Sequence, residues 1–354
     1  MRLLCVSTQR NEGPYLLEWV AHLRACGVTD LLIYSNDCDD GSDDLLDLLD
    51  GAGILTHVRH QVPEGESIQW TALKAAWKHP LRKEADWAIV CDVDEFPVIK
   101  VGTGQFADLI GSVLGGFDAM VLPWRLFGAN GVVRLHDAPV TGQFRKAQRP
   151  DAMWPVAATF FKTLFRLDGP FNQFGVHRPR QKLEAKAGLP RIVDGSGRPL
   201  PEGFVRNTKR LSLFGLPTGR NLAEMNHYSL RSAEGFVIKR DRGLPNRTDK
   251  AIDLAYWTER NFNEVPETAI DQIADRVAAE RAKLEVIAGI PEAHQRALAW
   301  HRQRFSDLVT TEAGHKLYSQ LLLAQGSTTP DADTARQLVQ WFQIAYKRGL
   351  EDAE

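Results

Sequence analysis

The chain predicts an α/β fold, a mostly parallel mixed sheet flanked by helices and followed by a C-terminal helical region. Three observations carry this. The apolar runs Leu3-Leu4-Cys5-Val6-Ser7, Leu31-Leu32-Ile33-Tyr34 and Trp87-Ala88-Ile89-Val90-Cys91 read as strands buried on both faces. Segments with helical apolar spacing alternate with them, which is the signature of βαβ units. From about Ala251 the pattern turns helical, with apolar stripes at Ile270, Ile273, Val277, Leu317, Leu321 and Leu322.

The elements follow in order. After the first strand, Leu16, Leu17, Val20 and Leu23 give one apolar helical face from Pro14, and Gly27 ends that helix. The second strand leads through the polar loop Ser35 to Ser42 into a helix carrying Leu45, Leu46, Leu48 and Leu49. A third strand is expected at Ile54 to Val58. A helix from about Ser67 to Lys78 then precedes the strand that runs out at Asp92. Further strands are expected at Asp118 to Leu122 and Phe160 to Arg166. The Gly-, Pro- and Arg-rich stretch from Ala187 to Arg220 reads as an irregular excursion over the active edge, a candidate lid.

With 354 residues, 44% hydrophobic and 25% charged, the chain has the composition of a globular protein large enough for two domains. A net charge of -2 sets no demand for nucleic acid, although Arg and Lys crowd the stretch from Arg178 to Arg220. Cys5, Cys26, Cys38 and Cys91 show no Cys-x-x-Cys spacing, so reduced, mostly buried thiols are expected. No signal-peptide core and no run of membrane-spanning length is present. A cytoplasmic protein is expected, with peripheral membrane contact left open.

Right-handed crossovers place every strand-to-helix junction on one edge of a parallel sheet, where ligands bind. That edge collects Thr8, Arg10, Asn11 and Glu12 from the first junction, Asn36, Asp37 and Asp40 from the second, and Asp92, Asp94 and Glu95 from the fourth. In extended backbone Asp92 and Asp94 point the same way, and two hard carboxylates on one side suit Mg²⁺ or Mn²⁺ together with substrate phosphates. The competing reading is a solvated turn, since Asp37-Cys38-Asp39 and Asp331-Ala332-Asp333 show the same spacing. The last of these reads as a helix cap. No Gly-x-Gly-x-x-Gly and no P-loop pattern occurs at any junction.

Gln9-Arg10-Asn11-Glu12, Tyr34-Ser35-Asn36-Asp37, Asp40-Gly41-Ser42, Asp92-Val93-Asp94-Glu95-Phe96 and Asn226-His227-Tyr228-Ser229-Leu230-Arg231-Ser232 together resemble the nucleotide-diphospho-sugar glycosyltransferases of the GT-A, Rossmann-like fold. The resemblance is nearest to the glycosyltransferase family 2-like group with an Asp-x-Asp-Glu-Phe core. It implies a transferase domain over residues 1–245, with a nucleotide-sugar half (1–100) and an acceptor half (101–245), and leaves 246–354 as a helical accessory region. It implies a hexosyltransferase-type enzyme moving sugar from a nucleotide-diphosphate donor to a saccharide or glycan hydroxyl, in surface polysaccharide or glycoconjugate synthesis.

The resemblance further implies that Thr8, Arg10, Asn11, Glu12, Asn36 and Asp37 hold the donor nucleotide, with Gln69 and Lys74 on the neighbouring helix. Asp94 would bind Mn²⁺ or Mg²⁺ directly, and Asp92 the ribose or the metal through water. His227 would complete the metal site. Arg231, Lys239, Arg240 and Arg242 would neutralise the leaving diphosphate, with a solvated helix face as the ordinary alternative. For an acceptor base, Glu95 and His177 are the candidates, because the Glu-Asp dipeptide that often supplies it in family 2 is not found in a recognisable setting. Trp124, Trp154 and Phe171 offer flat faces for sugar stacking or for core packing. A nucleotidyltransferase and a non-catalytic saccharide-binding protein on the same fold are the alternatives. The first usually has a Gly-rich loop after its first strand, whereas here no glycine comes before Gly13.

Overall fold

The computed structural model describes residues 1–63, 65–181, 188–216, 219–243 and 252–351. The apolar runs form strands β1 (Leu3–Gln9), β2 (Asp30–Ser35), β3 (Thr56–Arg59), β4 (Trp87–Val90) and β5 (Glu95–Ile99). They are followed by β6 (Ala119–Leu126), β7 (Lys146–Ala147), β8 (Phe161–Arg166), β9 (Phe171–Gln173), β10 (Arg180–Gln181), β11 (Ile192–Val193), β12 (Ala223–His227) and β13 (Val265–Pro266). Helices α1 (Gly13–Ala25), α2 (Ser42–Gly51), α3 (Ile68–Lys78) and α4 (Pro80–Glu84) lie in the first part, then α5 (Phe106–Gly111), α6 (Val140–Gln143), α7 (Glu202–Arg206) and α8 (Ala233–Arg242). The tail adds α9 (Leu254–Thr258), α10 (Ala274–Glu285), α11 (Ile290–Val309), α12 (Glu312–Leu323) and α13 (Ala332–Glu351).

The main sheet has the order β3-β2-β1-β4-β8-β6-β12-β5, with β11 also on β6. β1, β2, β3 and β4 are mutually parallel, as are β6 and β12, while β8 and β5 run antiparallel to their neighbours. The expected largely parallel sheet flanked by helices is therefore present. The order reverses between β1 and β4, which opens a crevice at their carboxyl ends.

Alternation along β1 shows why unbroken apolar runs are required. Leu3 and Cys5 enter a core shared with Leu16 and Val20 of α1 and Leu45 and Leu49 of α2, whereas Leu4 and Val6 enter a second core with Ala72, Leu73 and Ala76 of α3. α1 ends where Gly27 takes φ +90°, so that Val28 N reaches the Leu23 carbonyl at 3.0 Å.

Residues of the tail join the core of the sheet. Phe262, Ile270, Ile273, Leu284 and Ile290 are buried in the same core as α1, and β13 pairs with β7. The expected boundary at 245/246 lies outside the described residues. The stretch from 187 to 220 also differs from expectation where it is described. β11 adds to β6, and Ile192, Leu200, Phe204, Val205 and Leu213 enter the second core. Its apolar residues demand burial, so it packs as a layer and not as an excursion over the edge. Nor do Arg178 and Arg220, at the two ends of the Arg- and Lys-rich stretch, build a basic patch. Arg178 donates to the Phe204 and Asn207 carbonyls, and Arg220 to the Trp124 carbonyl and Glu224.

Helix α11 approaches α1 closely. A methyl group placed on Gly13 meets the Ala297 Cβ at 2.4 Å. Gly13→Ala is accordingly expected to cost about 1–3 kcal/mol by overpacking. Thermal denaturation checks this, and an unchanged melting temperature contradicts the contact. Among the described residues no helix is long and apolar enough to cross a membrane.

Candidate active site at the carboxyl edge of the sheet

β4 stops at Val90, and the chain turns instead of continuing extended, with Glu95 N donating to the Asp92 carbonyl at 3.0 Å. This corrects the expectation that Asp92 and Asp94 share a face, because alternation holds only in extended backbone. Asp92 accepts from Lys162 Nζ at 2.9 Å and Gln69 Nε2 at 3.3 Å. Asp94 instead lies 3.5 Å from His227 Nε2 and accepts from Lys239 Nζ at 2.8 Å.

Strand pairing explains the second grouping. β12 runs antiparallel to β5 with His227 opposite Glu95, and Tyr228 N donates to the Asp94 carbonyl at 2.8 Å, so residues distant in sequence meet at the turn. After β12, Arg231 takes φ +54° and Ser232 caps α8 through Gly235 N, which aims α8 and its Lys239 and Arg242 back at the edge. Lys239 also donates to the Ser229 carbonyl at 2.8 Å. Arg240, by contrast, points to the Ala313 carbonyl of α12.

Glu12 stands between two guanidinium groups. It accepts from Arg231 Nη1 at 2.6 Å and pairs with Arg242 through its other oxygen. Arg231 lies 3.5 Å over the Tyr15 ring and donates to the Val93 carbonyl, tying the first junction to the acidic turn. Burial alone raises both Glu12 and Asp94, but Arg231 and Arg242 hold Glu12 below its ordinary value. Lys239, His227 and Arg231 hold Asp94 well below the carboxylate range. Both are anions at neutral pH.

Glu95 behaves differently. Its Oε2 accepts from Asp92 N at 2.9 Å and lies 3.0 Å from Lys162 Nζ, so it folds back on the turn instead of pointing to the other face. Burial and the neighbouring Asp92 and Asp94 outweigh Lys162 and push its carboxyl up to about 8. His177 is neutral, pushed down to about 4 by burial and Lys162. Its Nδ1 faces the Phe161 carbonyl at 2.9 Å and must carry the proton, which leaves Nε2 as the lone pair. Trp124 sits between the two imidazoles, 4.0 Å from the His227 ring and 5.3 Å from that of His177, with its indole N–H buried and unpartnered.

The remaining candidates divide. Arg10 donates to the Asp37 carbonyl, and Asn11 exchanges hydrogen bonds with Asp39, so these residues join the first two junctions. Asn36 is buried and donates to the exposed Asp37 carboxylate at 3.2 Å. Thr8 belongs to β1, with a buried hydroxyl that has no protein partner. Ser67 Oγ, Gln69 Oε1 and His60 Nε2 are also buried without one. Lys74 is exposed on α3, with no ion pair to the described residues. Phe171 is core, packed on Phe165, and Trp154 contacts Phe214 and Phe342. Asp331 caps α13 through Asp333 N and Thr334 N, as its loop setting predicted. A cavity of about 580 Å³ lies at the opposite, amino edge, lined by Met1, Trp87, Phe117 and Arg166 among others and by none of the candidates.

Lys162 is the main residue that sequence reasoning missed. It is fully buried, yet it sits in the apolar strand Phe161-Lys162-Thr163-Leu164-Phe165, and a lysine there was the available signal, since buried lysines are almost always paired. Burial disfavours its charge, but Asp92 and Glu95 raise its pKa above the ordinary lysine value.

Among the described residues no three His, Cys, Asp or Glu groups stand close enough to hold an ion by themselves. Asp94 and His227 supply one ionised carboxylate and one neutral imidazole side by side. That donor set suits a divalent ion whose other ligands are water and substrate phosphate.

Residues 2–129 match the family model of glycosyltransferase family 92. A family 92 protein of Arabidopsis thaliana, At1g27200, is 32% identical over 97 residues, 26% of this chain and 16% of that protein. Another from Oryza sativa subsp. japonica, Os08g0121900, is 29% identical over 97 residues with the same coverage. The chain thus spans 16% of the length of the curated relatives it matches. Among solved structures, a mannosyltransferase of Pyrobaculum calidifontis in complex with GDP-Man and Mn²⁺ is 12% identical with a TM-score of 0.34, over 100% of this chain and 88% of that one. TarS 1-349 of S. aureus is 11% identical with a TM-score of 0.31, over 98% and 92%. The family match is to family 92, where the sequence resemblance was nearest to the family 2-like group, and it ends at Ala129, before Lys162, His177, His227 and the α8 cations.

Proposed function

We propose that this chain is a glycosyltransferase that moves a hexosyl group from a nucleoside-diphosphate sugar to a saccharide hydroxyl, using Mn²⁺ or Mg²⁺. One observation carries the reading. Asp94, His227, Lys239, Arg231 and Arg242 converge beside the β1–β4 crevice from two separate parts of the chain, so that the anions Asp94 and Glu12 stand among three cations where a diphosphate would lie.

The bond between the anomeric carbon and the diphosphate oxygen breaks, the bond to the acceptor oxygen forms, and the acceptor hydroxyl gives up its proton. Arg231, Arg242 and Lys239 face the negative charge that grows on the departing diphosphate. Asp94 and His227 would hold the divalent ion, which would supply Lewis-acid stabilisation of that charge. Thr8, Asn36 and Gln69, with Asp92, hold the nucleoside, the orphaned oxygens of Thr8 and Gln69 being free to bond it. Lys74, exposed on α3, stays a further candidate on the donor side.

On the acceptor side, Nε2 of His177 and the indole N–H of Trp124 orient a sugar hydroxyl. As a weak base, His177 acts mainly by positioning. Glu95 holds the turn through Asp92 N and Lys162, and its complete burial suits that role better than contact with an acceptor hydroxyl. Reduced thiols fit a cytoplasmic setting, since the four cysteines are free and Cys5, Cys26 and Cys91 are buried.

A panel of nucleotide sugars tests this. At least one donor should release nucleoside diphosphate, chelation should stop the release, and excess Mn²⁺ should restore it. Release that survives chelation removes the metal from the reading. Pyrophosphate release from a nucleoside triphosphate makes the chain a nucleotidyltransferase instead.

A further inference from the structure

Helix α11 lies beyond the part matched by family 92, yet it packs against α1, α2 and α8, all of which border the site. His301 of α11 is 2% exposed, and its Nε2 lies 2.9 Å from Asp40 Oδ2, itself 3% exposed. The same Asp40 oxygen accepts from Gly13 N at 3.0 Å, and its other oxygen accepts from Ser42 N at 2.8 Å. Ser42 Oγ accepts from Glu12 N at 2.9 Å. Asp40 therefore ties the start of α1 to the start of α2 beside the residue that grips Arg231 and Arg242. Burial alone raises the Asp40 carboxyl, and the His301 contact helps hold it low.

The same helix face holds the other side of the site. Arg304, one turn after His301, makes two hydrogen bonds to Asp241 at 2.8 and 2.9 Å, and Asp241 precedes Arg242 on α8. The Tyr15 ring, which lies under Arg231, meets His301 edge-on at 6.3 Å between centroids. α11 thus spans from the Asp40 junction to the cation-bearing helix.

We propose that His301 is a positioning residue for the diphosphate-binding cations. By donating to Asp40 it fixes the backbone of Glu12, and Glu12 fixes Arg231 and Arg242; α11 is then an integral part of the site. The proposal rests on the diphosphate reading above.

Calorimetric titration of the full chain with inorganic pyrophosphate in the presence of Mn²⁺ tests it without knowing the nucleotide. His301→Leu and His301→Gln both fill the space, but only glutamine keeps an N–H near the Nε2 position. His301→Leu is expected to bind pyrophosphate about tenfold more weakly than wild type, the kind of loss that a small misplacement produces, with His301→Gln near wild type. The exposed Arg304→Ala, which leaves the core intact, is expected to lose about threefold and decides the matter if His301→Leu does not fold.

A brace that serves only the fold lowers the melting temperature of His301→Leu without changing the affinity of the folded protein, and that result overturns the proposal. Wild-type affinity in Arg304→Ala does the same. Absence of binding by the wild type overturns the diphosphate reading itself and takes this role with it.

Discussion

Asp94→Asn is expected to lower nucleoside diphosphate release by about a thousandfold, the upper range for removing one preorganised electrostatic group from a transition state. The reason lies in where its charge sits. Asp94 is only 7% exposed, and Lys239, His227 and Arg231 keep it ionised against the pull of burial. Asparagine keeps the shape but offers a neutral carbonyl to the ion, and it removes the charged partner of Lys239, which keeps the Ser229 carbonyl and the Tyr256 ring. Mn²⁺ affinity, read by calorimetry on the same variant, should fall in parallel. Asp92→Asn should cost less, about tenfold, because Asp92 acts through Gln69 and Lys162 and not through the His227 cluster. Turnover of Asp94→Asn within tenfold of wild type, in a protein with an unchanged melting curve, sinks the assignment.

How far the site was legible depended on whether geometry was local. β1, β2 and β4 were readable because strands buried on both faces must be continuously apolar, and the carboxyl edge followed from crossover handedness. Asp92 and Asp94 were readable as a pair of acids after such a strand. Their separation was not, since a turn at Val93 and Asp94 replaced the extended backbone on which alternation depends. His227 was placed by resemblance, and the register of β12 on β5 shows physically why it reaches Asp94. Lys162 and His301 lay beyond local reasoning. Each is a polar residue in an apolar setting, a signal that something must pair with it, but the partners come from distant segments that only the folded chain brings near.

Lys162→Met is expected to destabilise the fold by about 3–5 kcal/mol, because it removes one partner of a buried ionic cluster and leaves the others uncompensated. Lys162 is fully buried and bridges Asp92 Oδ2 at 2.9 Å and Glu95 Oε2 at 3.0 Å. The loss should depend on pH with a definite sign. The Glu95 carboxyl is raised from 4.5 to about 8 in the folded protein, so the folded state binds this proton more tightly than the unfolded state does. Its contribution is complete below about 4.5 and is lost as pH rises through about 8. Without Lys162, ionised Glu95 would face Asp92 with no cation between them and its carboxyl rises further, so wild type and variant lose this contribution together up to about 8 and the penalty grows above that value. The melting temperature of Lys162→Met should therefore lie closer to wild type at pH 5 than at pH 9. Adding Glu95→Gln should recover part of the loss at pH 9, because it removes the uncompensated charge. Equal destabilisation at both pH values, or no recovery in the double variant, means that the lysine acts through packing alone and does not hold the acidic turn in place.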